Sequence, residues 1–346
     1  MTWLTKNLAV LLVAICIAAV LEAQDKAASF QSQDVKFDGH EVGLAGTLTI
    51  PKLEAGKRAL GVLIIGSEGR GTRDGIHVGS VKQPIYRDLA EHLAARGMAV
   101  LRYDKRCSGV SDCKAAASFD DYIDDARRAM EFLKKQPQVD PAKVFLFGHS
   151  EGGYIASTLG SNEEYKLAGV ILAASPGRTL GKLMRDLVQV QMAEAGKKPE
   201  EIGAYLVKFD RLVKDMLGGR QDFSGEKLDA KDPYDALLLD LTSQRSVTLS
   251  LLINDPLQIV NNISSPVLIL QGKKDLQIKV KDAQYIEEAL KRASHKDTTL
   301  ALFDDVDHLL KTNKGTPTLA SYADASRPID PALLATLTEW VQKKAK

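Results

Sequence analysis

Short runs of apolar residues recur along the chain, and segments with helical spacing separate them. Six runs have few or no polar interruptions: 62–65, 99–101, 144–147, 169–173, 267–270 and 299–303. Continuous apolar runs of this length are typical of strands that are buried on both faces. Because helical patterns alternate with them, the sequence predicts an α/β fold with a mainly parallel central sheet flanked by helices.

Two local patterns add detail to this prediction. Residues 41–51 alternate around Val42, Leu44 and Leu48, which indicates an antiparallel strand pair near the start. Between residues 119 and 133 the apolar side chains fall on one helical face, and Ser118 and Asp121 form a capping box at its start.

The interval between Ala173 and Val267 has no buried-strand pattern. Residues 202–217 keep helical spacing and stop at Gly218, where a helix commonly ends. We therefore predict that residues 178–260 form a helical cap, inserted into a core made of residues 24–177 and 261–346.

The N-terminus predicts export. Lys6 precedes an apolar run over residues 8–21, and the small Ala23 suits a signal peptidase. The run is shorter than the roughly 20 residues that span a bilayer, so residues 1–23 are predicted to be a cleaved signal peptide, with no stable membrane span afterwards. An uncleaved anchor, a buried helix or lipidation at Cys16 are the alternatives. The expected location is periplasmic or secreted.

The balance of charges argues against polyanionic partners. The chain has 46 Lys and Arg residues against 45 Asp and Glu residues. Without a net field, the protein is not expected to bind nucleic acid or an anionic membrane, and a small molecule is the expected partner. The oligomeric state is left open.

Candidate chemistry begins at Gly148-His149-Ser150-Glu151-Gly152, directly after an apolar run. The pattern G-x-S-x-G predicts a nucleophile elbow, a sharp strand-to-helix turn that exposes the serine. A glycine-rich turn with an incidental serine is the alternative. A serine nucleophile needs a base, because its hydroxyl is protonated at neutral pH.

His308 is the best candidate for the base among six histidines, since it follows the last apolar run in a loop. His149 is expected to point away from Ser150, and His295 to be an exposed residue at a helix end. Asp275 follows the run 267–270 and is the candidate that orients His308. The aspartates beside His308, namely Asp304, Asp305 and Asp307, are expected to be solvated.

Acyl transfer also needs donors for an oxyanion. The backbone N–H of Glu151, which follows the nucleophile, is one candidate. The glycine-rich loop after residue 65 offers Ser67 or Glu68 as the second, and the sequence does not decide between them. A tight turn or a phosphate cradle is the alternative for this loop.

Two of the three cysteines, Cys107 and Cys113, lie close together in one predicted loop. An even pair in an oxidising compartment can bond, and this spacing permits a disulfide without requiring it. Two free thiols are the alternative, and no nearby ligand pair favours zinc.

Several segments together resemble the α/β-hydrolase superfamily, and within it the exported bacterial esterase-like hydrolases often labelled serine aminopeptidase-like. The segments that carry the resemblance are 44–51, 101–106, 148–153, 270–277 and 307–309. The resemblance spans nearly the whole chain after the leader. It implies a carboxylic ester hydrolase with Ser150, Asp275 and His308 as its triad.

Two departures from the family pattern stand out. Glu68 occupies a position where such hydrolases usually have glycine, so a carboxylate lies in the predicted oxyanion loop. Cys107 replaces the glycine that normally follows the motif ending at Arg106, and Cys113 follows shortly after. This second departure favours a local disulfide that substitutes for loop rigidity.

We therefore expect a serine hydrolase that cleaves carboxylic esters through an acyl-enzyme, with no metal or organic cofactor. The alternative is a serine peptidase, aminopeptidase or prolyl-peptidase-like, with the same triad. An aminopeptidase would need carboxylates for the substrate ammonium, and the predicted cap offers Glu194, Glu200, Glu201 and Asp210. A catalytically silent binding protein on the same fold is the third hypothesis.

Overall fold

A computed structural model of the chain describes residues 29–67, 72–78, 81–114 and 117–346. The predicted signal peptide lies outside the described residues. The strands are β1 (Phe30–Asp38), β2 (Gly43–Pro51), β3 (Ala59–Ile65), β4 (Ile76–Val78), β5 (Val81–Gln83), β6 (Met98–Tyr103), β7 (Val139–His149), β8 (Gly169–Ala173), β9 (Val267–Gly272) and β10 (Thr298–Phe303). The α-helices are α1 (Ile85–Ala94), α2 (Phe119–Lys134), α3 (Glu151–Gly160), α4 (Leu180–Glu194), α5 (Pro199–Leu217), α6 (Pro233–Ser243), α7 (Arg245–Ile253), α8 (Pro256–Val260), α9 (Val280–Arg292) and α10 (Pro331–Lys344).

Eight strands form the central sheet in the order β1-β2-β6-β3-β7-β8-β9-β10. The β1–β2 and β2–β6 pairs are antiparallel, and every other neighbouring pair is parallel. The carboxyl ends of β3, β7, β8, β9 and β10 therefore meet at one edge of the sheet. Ligands of open α/β sheets bind at this edge.

The parity of residues along each central strand decides which face of the sheet they cover. On β3, Leu63 and Ile65 face a core shared with α2, α3 and α9, whereas Val62 and Ile64 face a core shared with α1 and α10. Because both faces are covered, these strands carry apolar residues at successive positions instead of alternating. The predicted α/β architecture is confirmed.

The predicted elements match the structure unevenly. The strand at 169–173 and the capping box of α2 are as predicted, and the alternating segment 41–51 contains β2. The predicted antiparallel pair is confirmed as β1 and β2, but β1 lies outside residues 41–51, and its mostly polar, exposed residues give no pattern that marks it. The expectation that every apolar run is buried on both faces is wrong for β10, which is the edge strand and remains partly exposed.

Five helices, α4 to α8, occupy the interval between β8 and β9. Apolar side chains of α4 to α7 pack into a separate cluster that includes Val188, Phe209, Leu212 and Leu238, whereas Val260 of α8 belongs to the core of the sheet. We call this helical segment, residues 180–260, the cap. The helix predicted at 202–217 is α5, which begins at Pro199.

No single helix in the described part of the chain is long and apolar enough to cross a membrane. The pair α6 and α7 passes that test of length and composition together, with a bend of 89° between them.

A disulfide joins Cys107 and Cys113, as the sequence favoured. Hydrogen bonds fasten the enclosed loop to the start of β2: Asp112 N–H donates to the Gly43 carbonyl over 2.9 Å, and Ala45 N–H donates to Ser111 Oγ over 2.9 Å. The loop is thus held covalently and by the sheet.

Candidate active site

Ser150 stands at the turn between β7 and α3, with φ 55° and ψ −123°. A side chain at positive φ is strained, at a cost on the order of 1–3 kcal/mol, and such strain concentrates at functional sites. Hydrogen bonds from Ser150 N–H to the Ala173 carbonyl and from Gly153 N–H to the Ser150 carbonyl hold the turn. The local geometry is that of the nucleophile elbow that the sequence predicts.

The glycines of the elbow allow this tight approach. A Cβ at Gly152 would lie 2.1 Å from the Ile65 carbonyl oxygen, and one at Gly148 would lie 2.3 Å from the Gly152 carbonyl oxygen. Both contacts are with backbone, which cannot rotate away. The spacing of glycines around Ser150 therefore follows from how closely α3 approaches β3 and β7.

Asp275 and His308 are brought together from the ends of neighbouring strands. Asp275 Oδ2 lies 2.9 Å from His308 Nδ1, and both side chains are buried. Asp275 is fixed in turn, because its Oδ1 accepts from Gln277 N–H and Ile278 N–H, and Gln271 Nε2 donates to its Oδ2 over 3.3 Å. This arrangement sets the tautomer and the plane of the His308 ring.

The aspartates next to His308 differ from one another. Asp304 and Asp305 pair with Lys273 and Lys274 at the surface, as expected of solvated groups. The same expectation is wrong for Asp307, whose side chain is fully buried. Its Oδ1 accepts from Leu309 N–H and Lys311 N–H, and its Oδ2 from Arg327. Asp307 therefore shapes the loop that presents His308.

His149 contacts the same loop from the other side. Its Nε2 lies 2.7 Å from the His308 carbonyl oxygen, and the centroids of the two imidazole rings are 5.0 Å apart. Its Nδ1 lies 2.9 Å from the Tyr86 hydroxyl. Burial, with a smaller contribution from the nearby His308, lowers the pKa of His149 to about 3. His149 is therefore neutral near pH 7 and is unsuited to act as the base.

His295, the other histidine after Ser150, is bonded elsewhere. Its Nδ1 lies 2.8 Å from Thr298 Oγ1, and its Nε2 lies 3.0 Å from the Ser265 carbonyl oxygen. It is partly buried, and the expectation of an exposed side chain is wrong. The two hydrogen bonds give it a structural role at the α9–β10 connection.

The backbone N–H groups proposed for the oxyanion site differ in the hydrogen bonds that they already make. Glu151 N–H is at the first position of α3, where a backbone N–H has no intrahelical acceptor. Ser67 N–H instead donates to the Tyr86 hydroxyl over 2.6 Å, so this donor is already used. Glu68 lies outside the described residues. Of the two candidates in this loop, Ser67 is thus disfavoured by its existing hydrogen bond.

A buried lysine connects the end of β3 to the start of α3. Lys105 Nζ donates to the Ser67 carbonyl over 2.8 Å and forms an ion pair of 2.7 Å with the Glu151 carboxylate. Lys105 thereby neutralises the only carboxylate that lines the cavity next to Ser150 in the described part of the chain.

This cavity lies between the elbow and the cap and has an empty volume of about 610 Å³, part of it open to solvent. Ser150 and Glu151 form part of its floor. Its apolar lining comes mainly from α4, α7 and the loop after β9: Leu180, Leu183, Met184, Leu187, Leu251, Pro256 and Ile278. An apolar cavity with a few polar groups at one end is the usual form of a small-molecule site.

Metal ligands are not assembled in the described ranges. No group of three or more His, Cys, Asp or Glu side chains there is placed to hold an ion.

Sequence reasoning missed Tyr86, Lys105 and Gln271. Tyr86 and Lys105 lie on α1 and after β6, and only the folded chain brings them to the elbow. One signal was present for His149: an imidazole in an apolar strand must have partners for both nitrogens when it is buried.

The fold and this elbow define an α/β hydrolase. The family described as serine aminopeptidase S33 (Hydrolase_4) matches residues 82–314, more than half of the chain, and the chain belongs to this family. Esterase EstD of Thermotoga maritima is 28% identical over 318 residues, covering 91% of this chain and 68% of the esterase.

Solved structures agree on the architecture. The Pyrococcus furiosus esterase Pf2001 superposes with a TM-score of 0.58 at 18% identity, covering 92% of this chain and 93% of that one. The α/β hydrolase GrgF from a Penicillium species has a TM-score of 0.57 at 16% identity, covering 91% and 99% of the two chains. Together these comparisons support a hydrolase, with esterases among its relatives.

Proposed function

We propose that the protein is a serine carboxylesterase that acts through an acyl-enzyme. Ser150 Oγ attacks the ester carbonyl while His308 takes its proton and Asp275 holds His308. The tetrahedral oxyanion is stabilised by Glu151 N–H and a second donor from the loop after β3. Proton transfer from His308 releases the alcohol, and a water molecule, activated by His308, then hydrolyses the acyl-Ser150 ester.

The observation that carries the proposal is the Asp275–His308 hydrogen bond at the sheet edge where Ser150 turns. His149 is the covalent neighbour of Ser150, and it also contacts the ring and carbonyl of His308. These contacts support His308 as the base, and Asp275 is the partner that would stabilise its cationic form.

The cavity favours an ester over a peptide with a free amine. An ammonium group would need an unpaired carboxylate, yet the lining carboxylate, Glu151, is paired with Lys105. The cap carboxylates Glu194, Glu200, Glu201 and Asp210 are exposed, and none of them lines this cavity. The apolar lining matches an uncharged acyl or alkyl group.

Replacement of the nucleophile tests the proposal. Ser150→Ala should abolish hydrolysis of a short-chain aryl ester, with a loss of roughly 10³-fold or more, while the melting temperature stays within a few degrees. Ser161→Ala, just beyond the end of α3, is the matched control and should retain activity. Unchanged turnover in Ser150→Ala would contradict the proposal.

The serine peptidase remains the second candidate, because the family to which the chain belongs is described as serine aminopeptidases. Turnover of aryl esters should exceed turnover of aminoacyl amides with the same leaving group. A preference for the free-amine substrates would reverse the ranking.

The proposal includes export. The leader-like N-terminus and the Cys107–Cys113 disulfide are both typical of proteins that enter an oxidising compartment. When the full chain is expressed in a bacterial host, N-terminal sequencing of the exported fraction should begin at residue 24, and protein retained in the cytoplasm with residue 1 intact would count against export.

A further inference from the structure

The hydrogen bonds of His149 have a defined direction. The His308 carbonyl can only accept, so His149 Nε2 carries the proton across the 2.7 Å contact. In the neutral ring Nδ1 is then an acceptor, and the Tyr86 hydroxyl donates to it over 2.9 Å. Burial keeps the ring neutral, because a charged imidazole there would lose its hydration.

The chain of donors continues beyond Tyr86. Its hydroxyl oxygen accepts from Ser67 N–H over 2.6 Å. The order of donation is therefore Ser67 N–H to Tyr86, Tyr86 O–H to His149, and His149 Nε2–H to the His308 carbonyl. All four residues are less than 10% exposed. Hydrogen bonds aligned in one direction strengthen one another in a low-dielectric interior.

This chain joins the segments that carry the proposed reaction. Ser67 is in the loop after β3, Tyr86 is on α1, His149 immediately precedes Ser150, and His308 is in the loop after β10. Asp275 holds the His308 side chain, whereas His149 holds the His308 backbone. The two contacts together fix both the position and the tilt of the ring.

We propose that His149 and Tyr86 are positioning residues of the hydrolase, which hold His308 at the reacting distance from the nucleophile through its carbonyl. The inference rests on the proposed function of Ser150. Tyr86 has a second effect, because the Tyr86 hydroxyl accepts the hydrogen bond of Ser67 N–H and so fixes its direction. The backbone at Ser67, directly after β3, is thereby fixed beside α1.

Three variants test this inference. Tyr86→Phe removes one hydroxyl and keeps the ring, His149→Leu removes both hydrogen bonds, and His149→Gln keeps an amide N–H and a carbonyl oxygen for the same two partners. The matched control is Tyr205→Phe, which removes a similarly buried hydroxyl that donates to the Tyr234 carbonyl within the cap.

The expected signature is a kinetic one. In steady-state hydrolysis of an aryl ester at 25 °C, Tyr86→Phe and His149→Leu should lower kcat by about 10- to 100-fold with KM within about twofold, because small misplacements of a reacting group have effects of this size. His149→Gln should recover part of the loss, and Tyr205→Phe should keep the wild-type kcat. The rate of Ser150 labelling by a fluorophosphonate should fall in parallel with kcat.

Three outcomes would overturn the inference. They are a kcat of folded Tyr86→Phe within twofold of wild type, an equal loss in Tyr205→Phe, and loss of activity that follows melting temperature across all the variants. Should His149→Leu fail to fold, Tyr86→Phe alone decides. Labelling of the wild-type protein separates failure of the proposed function from failure of this inference alone. If wild-type Ser150 is not labelled, the proposed function fails and the inference fails with it; if it is labelled and the variants behave as the wild type does, only the inference fails.

Discussion

The His149 side chain is fully buried, and its two ring nitrogens are bonded to neutral partners. Its pKa is lowered to about 3 from 6.5, mainly because burial disfavours the charged form. In the unfolded chain the same side chain takes up a proton near pH 6.5. Acidification therefore favours the unfolded state through this one residue.

This difference in pKa gives a pH window for stability. The contribution of His149 is complete above about pH 6.5 and is lost progressively as the pH falls towards about 3. Between pH 7.5 and pH 4.5 the free energy of unfolding should fall by roughly 2–3 kcal/mol on account of this group. In His149→Gln the fall over the same range should be smaller by about that amount, as measured by urea titration. Equal falls in the two proteins would contradict the assignment.

Glycine 152 is the residue at which the elbow has least room. Gly152→Ala would place a methyl group 2.1 Å from the Ile65 carbonyl oxygen, so α3 or β3 must move. We expect a loss of about 1–3 kcal/mol in the free energy of unfolding, together with a marked loss of ester hydrolysis.

Gly203→Ala is the matched control for this prediction. It lies within α5, and a Cβ there would meet no atom within 4 Å. The same substitution should therefore stabilise the protein by roughly 0.5–1 kcal/mol, because alanine favours the helix. A neutral effect of Gly152→Ala would mean that α3 can shift without cost.

Among the elements, the loop closed by Cys107 and Cys113 is held twice, by the disulfide and by hydrogen bonds to the start of β2. It also lies next to Lys105 in sequence. The loop is therefore connected to β2 through its hydrogen bonds and, through Lys105, to Glu151 in the floor of the cavity.

Replacement of both cysteines by serine tests how much the disulfide contributes. A cross-link across six residues should contribute about 2 kcal/mol, because it restricts the unfolded chain. Urea titration of the double variant should show a loss of this size, and hydrolysis should persist because the hydrogen bonds to β2 remain. A loss below about 0.5 kcal/mol would assign the rigidity of the loop to those hydrogen bonds instead.

Elements with a strong hydrophobic pattern could be predicted from the sequence, and those stabilised by their partners could not. The run at 169–173 matches β8 because a strand covered on both faces favours apolar side chains at successive positions. β1 is mostly polar and exists because β2 supplies its hydrogen bonds, so no local pattern marks it. The same reason explains Tyr86 and Lys105, whose roles depend on contacts between distant segments.

For the molecule as a whole, the parallel sheet brings the candidate site residues to one edge of the fold. Ser150 and His308 are 158 positions apart along the chain, but the strands that precede them end at the same edge of the sheet, because β7, β8, β9 and β10 are successive parallel neighbours. Ser150, Asp275 and His308 could be proposed from the sequence because strand-end positions follow from chain order in such a sheet, and the structure brings Asp275 and His308 within hydrogen-bond distance. It could not predict the second oxyanion donor, since that depends on how a single loop after β3 turns.

The cap completes the site by covering Ser150 with apolar side chains from α4 and α7. A buried ion pair anchors its first helix: Arg178 bonds Asp282 at the start of α9 through two contacts of 2.8 Å and Asp186 on α4 through one of 2.7 Å. The cavity is thus built from both the core and the cap, and its apolar character is a property of their junction.

Trapping the acyl-enzyme shows whether Ser150 is the nucleophile. Wild-type protein is mixed with a short-chain aryl ester and quenched in acid within the first turnover, and its peptides are then mapped by mass spectrometry. We expect a burst of the aryl alcohol and an added acyl group on the peptide that contains Ser150, with neither in Ser150→Ala. Steady turnover with no adduct on Ser150, or a burst that survives in Ser150→Ala, would contradict the proposal.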